Sequence, residues 1–447
     1  MSPQETYTLL IAAVVICLGI LCGTARDSFS PGVLFTAMCG LYTMFFPLAI
    51  FFGVTGPEYS EAGLYPYFLA VGIALVSLLV VCSGMLSRRN DVLAMRSAET
   101  HGIPGISVFI VFWSIAGWAL IALQICQLGG IGAFLSMGYG TERYKATAQF
   151  AFAGFSNEWL SLAFMATLQV VLLKQRIHRA LVISVAVSFC LWIYFILVGG
   201  GRSMILRLVM GCMLQVHYTR RKLKATAMVV PCLVVYVFLV MFGHARGVLA
   251  EEGLGKAVTK MGTMLVESPE LLAPTSFGEL MNPAKSLYDT TAGFLKDELW
   301  LGKSYANIPL IFAPHALVPN RPLTVGEWYV YQAQPDFAED GGGLGLLTLS
   351  EGVLNFGYLG IVLQMSLLAV PICLAYRWFS KRLKSGRYAY ASICYCSIVS
   401  FVLFAGMRID LAPIVKGTIF GYALPLISIA LFRNRAVSKQ LEVATTL

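Results

Sequence analysis

Residues 180–217 read ALVISVAVSFCLWIYFILVGGGRSMILRLVMGCMLQVH. A predominantly apolar run, 180–198, ends at Gly199, Gly200 and Gly201; Arg202 follows, and then a second apolar run, 203–217. About 20 such residues are what an α-helix needs to cross the hydrocarbon of a bilayer. Two runs joined by a glycine turn therefore read as consecutive transmembrane helices. The pattern recurs at 7–23, 31–52, 64–86, 105–127, 157–173, 225–243, 350–376, 388–407 and 413–432, which makes eleven spans. With 58% hydrophobic and 12% charged residues, the 447-residue chain is far too apolar for a soluble domain. The expected fold class is an all-α polytopic membrane protein.

Charge sets the sidedness. Basic residues gather in alternate loops: Arg88, Arg89 and Arg96; Lys174, Arg176 and Arg179; Arg220, Arg221, Lys222 and Lys224; Arg377, Lys381, Arg382, Lys384 and Arg387; then Arg433, Arg435 and Lys439 in the tail. Excess Lys and Arg marks cytoplasmic segments. The eleven spans then alternate without conflict, N-terminus out and C-terminus in. The net charge of +9 is spread over these loops and forms no single patch, so it does not suggest a nucleic-acid partner. The 11 cysteines lie in or at the ends of apolar runs and read as packing residues. The segment Met1–Glu5 has no basic cluster, so the first span is expected to be retained.

The chain divides into 1–243 with eight spans, a large outer loop at 244–349, and 350–447 with three spans and a cytoplasmic tail. More than 100 residues without a span is too long for a connector. Within the loop, Asn282-Pro283 predicts a helix start running to about Trp300, and 248–266 has the spacing of a helix lying on the membrane surface. Residues 309–322 are proline-studded and read as irregular, and Asp336 to Gly345 reads as flexible. The glycine-rich loop 128–156 reads as solvated, or as a gate over an opening.

Two arginines stand where a cation is costly. Arg202 opens the seventh span and Arg408, in Gly406-Met407-Arg408-Ile409-Asp410, closes the tenth; topology puts both on the outer side. A 15-residue seventh span is about 22 Å long against about 30 Å of hydrocarbon, which lowers Arg202 toward the membrane. Arg207 and Lys416 add two cations within the outer half. One reading is a pocket for a phosphate-bearing anion, which planar guanidinium groups bind in bidentate fashion. The other is snorkelling to the interface with local pairing, for example Arg408 with Asp410. His244 and Arg246 open the large loop, and His315 and Arg321 lie further along it on the same side. The five histidines are scattered, and no metal-binding constellation or cofactor motif is present, so chemistry here is expected to need neither.

Two stretches carry a resemblance. Ala313-Pro314-His315-Ala316-Leu317-Val318-Pro319-Asn320-Arg321-Pro322 and Ser350-Glu351-Gly352-Val353-Leu354-Asn355-Phe356-Gly357-Tyr358-Leu359-Gly360, with the Gly-Arg at 201–202 and the Met-Arg-x-Asp at 407–410, resemble motifs of the O-antigen polymerase (Wzy-type) family. Departures are His315 where the pattern favours Arg and Arg321 where it favours Lys. The resemblance implies a GT-C-like membrane architecture in the bacterial inner membrane, with residues 244–349 as a periplasmic loop. It implies an inverting, metal-independent glycosyltransferase that passes a growing glycan from undecaprenyl diphosphate to the free sugar end of the next lipid-linked repeat. Its partners would be that lipid-linked oligosaccharide, membrane lipids and a chain-length regulator protein. Catalytic candidates are Arg202, Arg408, His315, Glu351 and Asp410, the last three as alternatives for the general base; substrate-binding candidates are Arg207, Arg246, His244, Arg321 and Asn355. Two alternatives stay open: an O-antigen ligase that delivers glycan to a lipid A core, and a transporter of lipid-linked oligosaccharide. The absence of internal repeats weighs against the transporter.

Overall fold

The computed structural model describes residues 2–25, 27–56, 58–86, 103–136, 153–175, 177–198, 202–220, 222–224, 278–313, 318, 320–339, 342–386 and 388–429, and, between 233 and 272, residues 233–234, 236–238, 240–245, 248, 252, 254–268 and 272. Among them all regular structure is helical. We number the main helices α1 (Pro3–Ala25), α2 (Pro31–Phe51), α3 (Leu64–Met85), α4 (Ile106–Gln127), α5 (Ser156–Leu172), α6 (Arg179–Val198) and α7 (Arg202–Thr219). The loop contributes α8 (Leu254–Glu267), α9 (Gly278–Thr291), α10 (Lys303–Phe312) and α11 (Val325–Ala333). Then follow α12 (Thr348–Lys384), α13 (Ala389–Ala405) and α14 (Leu411–Lys416), which passes into a π-helical stretch, Gly417–Ala423.

Among the described residues, seven helices are long and apolar enough to cross a membrane: Pro3–Thr24, Pro31–Phe51, Glu61–Met85, Ile106–Gln127, Arg179–Leu197, Thr348–Lys384 and Leu411–Ile429. The protein is thus a polytopic helical membrane protein. The spans expected at 157–173, 203–217 and 388–407 are helices too, but α5, α7 and α13 are shorter or less apolar than those seven. The span expected at 225–243 lies only in part within the described residues.

The chain forms two compact units that do not follow chain order. The first comprises Met1–Asp91, Gly262–Trp378 and Val402–Val415, and the second Val92–Met261, Phe379–Phe401 and Lys416–Leu447. In the second unit, polar side chains stitch apolar helices together. Gln169 Oε1 of α5 accepts hydrogen bonds from Thr219 of α7 (3.2 Å) and Ser392 of α13 (3.1 Å). Trp118 of α4 donates to Ser188 of α6 at 2.6 Å. With no hydrophobic drive between helices in lipid, such bonds and close packing hold helices together. The helix predicted over 248–266 appears as α8, whose Ala257 is buried against Phe242 and Ala245.

In the first unit, loop helix α9 is seated on α2 and α3. Phe46, Tyr59 and Tyr288 form an aromatic triangle with ring centroids 5.3–5.8 Å apart. The Tyr288 hydroxyl accepts the Ser60 N–H at 2.9 Å. The helix expected from Asn282-Pro283 to Trp300 instead starts at Gly278, holds Pro283 inside, and ends at Thr291. Thr290 and Thr291 turn their hydroxyls back onto the carbonyl of Leu287, and the N–H groups of Ala292 and Gly293 close on Tyr288 O. These bonds satisfy carbonyls of the last turn and close the helix. The irregular reading of 309–322 also gives way in part, since Pro309 lies inside α10.

The element that shapes the site is α12. It is two helices separated by a break at Phe356 (φ −143°, ψ 26°) and Gly357 (φ 60°, ψ −144°). Gly357 adopts a conformation that a side chain would strain. On either side of the break, the backbones of Gly352 and Gly360 touch, and a Cβ on either would overlap the other. The break frees carbonyls, which must find new donors. Trp300 N–H takes Leu354 O (2.6 Å) and the Asn355 amide takes Glu351 O (2.8 Å). The short first half, carrying Glu351 and Asn355, is thereby fastened to the loop.

Candidate functional site

Helices α10 and α11 flank a cavity of about 430 Å³ in the first unit. From α10 come Ser304, Asn307 and Ile311, and from α11 Val325, Trp328 and Gln332. Both sets have i, i+3, i+7 spacing, so each helix turns one face to the cavity. Glu351 and Asp410 also line it. Trp300 and Trp328 meet edge to face, centroids 4.6 Å apart and planes at 75°. Both pack against a buried cluster of Leu295, Val325, Tyr329, Leu346 and Leu354.

Glu351 is 1% exposed and held from three segments. Its Oε1 accepts the Ser304 hydroxyl at 2.7 Å, and its Oε2 accepts the Leu411 N–H at 2.6 Å and the Gln364 amide at 3.3 Å. Asn355 completes the arrangement: its amide donates to Ser304 Oγ at 2.7 Å and its carbonyl oxygen accepts Ser304 N–H at 3.3 Å. Tyr305 donates to Gln364 at 2.7 Å. The Glu-x-x-x-Asn spacing, one helical turn, is what lets both side chains grip α10.

Asp410 is 2% exposed and sits at the N-terminus of α11. Its Oδ2 accepts the Val325 N–H at 3.1 Å. Thr324 and Glu327 form a capping box at the same end. Burial raises the Asp410 carboxyl above the ordinary aspartate value; its own backbone N–H and that of Val325 pull it back, Glu327 pushes it up again, and the N–H of Gly326 opposes. Arg408 is half-buried, and its carbonyl accepts Leu346 N–H at 2.9 Å, tying 406–410 to the segment that enters α12. Arg321, also half-buried, directly precedes Pro322 and Leu323, which line the cavity.

The first unit therefore unites Glu351 and Asp410 at one cavity, with Asn355 bonded to Ser304 of its lining, Arg321 next to Pro322 and Arg408 two residues before Asp410. The remaining candidates lie in the second unit or outside the described residues. In the second unit, Arg207 forms an ion pair with Glu158 at 3.3 Å and lies over the Phe401 ring at 5.2 Å from its centroid. Of the two readings of Arg207, local pairing is the one with a visible partner. Arg202 is the first residue of α7, and His244 is exposed on a short helical stretch. His315 and Arg246 lie outside the described residues.

Sequence reasoning missed Trp300, Trp328, Ser304, Asn307 and Gln332. A signal existed: two tryptophans in the long stretch between apolar runs, and polar residues at helical spacing on either side. It missed Glu158 as well, although an acid at the start of an apolar run is itself an anomaly. Among the described residues, no group of three or more His, Cys, Asp or Glu side chains is placed to hold a metal. Comparison with protein families, with curated proteins and with solved structures found no match to this chain.

Proposed function

We propose that this protein is a membrane glycosyltransferase that polymerises undecaprenyl-diphosphate-linked oligosaccharide repeat units at the periplasmic face of the bacterial inner membrane, through eleven spans with N-terminus out and C-terminus in. The observation that carries the reading is the cavity: two buried carboxylates beside paired tryptophans and side-chain amides. Aromatic faces with convergent amides and carboxylates are what a saccharide needs, since sugars offer apolar C–H faces and many hydroxyls.

In the proposed reaction an acceptor hydroxyl oxygen attacks the anomeric carbon of the donor glycan. The bond from that carbon to the diphosphate oxygen breaks, its electron pair leaves with undecaprenyl diphosphate, and the configuration inverts. The acceptor proton passes to a carboxylate. Asp410 fits this role better than Glu351. Glu351 joins three segments through Ser304, Leu411 and Gln364, whereas Asp410 is held by backbone N–H groups, its own and those of Val325 and Gly326 at the start of α11. Glu351 then acts as a positioning residue that fixes α10 and the start of α14. Arg408 is assigned to the charge developing on the diphosphate; Arg202 is assigned there by its place in the sequence.

The test is deletion of the gene in its host, with surface glycan displayed on a gel. Single-repeat glycans in place of a ladder support the reading. Loss of all attached glycan, with polymer left on the carrier lipid, would replace it with the ligase.

A further inference from the structure

We infer that the cavity between α10 and α11 is the subsite for the free sugar end of the acceptor, that it excludes the diphosphate, and that it selects a terminal sugar without an acidic substituent; this rests on the polymerase reading. A lipid-linked repeat has two chemically opposite ends, a neutral or amino-substituted saccharide and a diphosphate. The cavity discriminates between them. Among the described residues its ionisable lining is Glu298, Glu351, Asp410 and Lys303, three carboxyls against one ammonium, and neither Arg408 nor Arg321 is among them. A diphosphate placed there would meet repulsion at close range, which costs affinity steeply where water is scarce. A uronic acid would meet the same field.

The rest of the lining suits sugar hydroxyls. Asn307 and Gln332 stand on opposite walls, each offering both a donor and an acceptor. Trp300 and Trp328, edge to face at 4.6 Å, both line the cavity and offer aromatic surface to a sugar ring. Asp410 lies on the same lining, so a hydroxyl held by the amides has the base beside it.

The experiment uses full-length protein purified in detergent. The probe is the repeat-unit oligosaccharide released from its carrier lipid by mild acid, which has neither lipid nor diphosphate. We expect it to bind, to perturb tryptophan fluorescence, and to withstand competition by inorganic pyrophosphate. Asn307→Ala and Gln332→Ala should each weaken binding about three- to tenfold, as loss of one or two neutral hydrogen bonds does. Chemical analysis of the host glycan should find no carboxylate on the acceptor-end sugar.

Displacement by pyrophosphate, unchanged binding in both amide variants, or a uronic acid at the acceptor end overturns the inference. The two proposals fail differently. If the deletion strain loses its ladder yet the oligosaccharide does not bind, the subsite falls and the polymerase stands. If the oligosaccharide binds and the ladder is normal, the polymerase falls, and the acceptor assignment with it, leaving a saccharide-binding cavity.

Discussion

At the scale of single residues, the two carboxylates of the cavity are not equivalent. Glu351 is a joint between α10, α12 and the start of α14, while Asp410 caps α11. A general base works only when unprotonated, and burial raises the Asp410 carboxyl. Activity should therefore fall, as pH is lowered, at a higher pH than an ordinary aspartate near 4 would give. Asp410→Asn should remove that acid limb and lower the rate about 10²- to 10⁴-fold; an unchanged pH profile of polymerisation in purified membranes would exclude Asp410 as base. A second pair makes a stability prediction. Glu158 and Arg207 are both largely buried, so Glu158→Ala leaves an unpaired cation and should cost about 3–5 kcal/mol. The double replacement Glu158→Leu with Arg207→Met should recover most of that in thermal unfolding, because it removes both charges together.

At the scale of elements, the break in α12 decides the site. An unbroken helix would carry Glu351 and Asn355 onward in line with the membrane span, away from α10. Gly360→Ala places a methyl group against the Gly352 carbonyl and must push the two halves apart. We expect it to abolish polymer and lower the unfolding temperature, whereas Leu359→Ala next door, at a side chain 79% exposed, should leave both near wild type. The residues of this break were legible in the sequence as a Glu, Asn-Phe-Gly, Gly pattern. Their geometric meaning was not: that Gly352 meets Gly360 follows from a reversal of direction that linear spacing does not encode. The loop helices were legible only in part. Asn282-Pro283 has the form of a helix start, but the seat that α2 and α3 offer to α9 outweighs local preference and admits the proline inside the helix.

At the scale of the whole molecule, the seven long apolar helices make a membrane protein, and the finer topology is open to direct measurement. A reporter enzyme active only outside the cytoplasm should be active when fused after Gly345 and silent when fused after Ser385; the opposite pattern would invert the proposed sidedness. Apolar run length and alternation of basic loops are properties of contiguous sequence, because a bilayer reads each segment on its own. That is why the sequence by itself determined the membrane class and the helical composition, and why it drew notice to Glu351, Asp410 and Arg408. Only the tertiary structure decided which of these residues meet. It joined residues about 50 to 100 positions apart, Ser304 with Glu351 and Val325 with Asp410, and it gave Arg207 to Glu158. Such pairings depend on where a chain turns back. In α12 that is set by a glycine with positive φ and by two glycines in contact, which act through packing in space and not through position in the sequence.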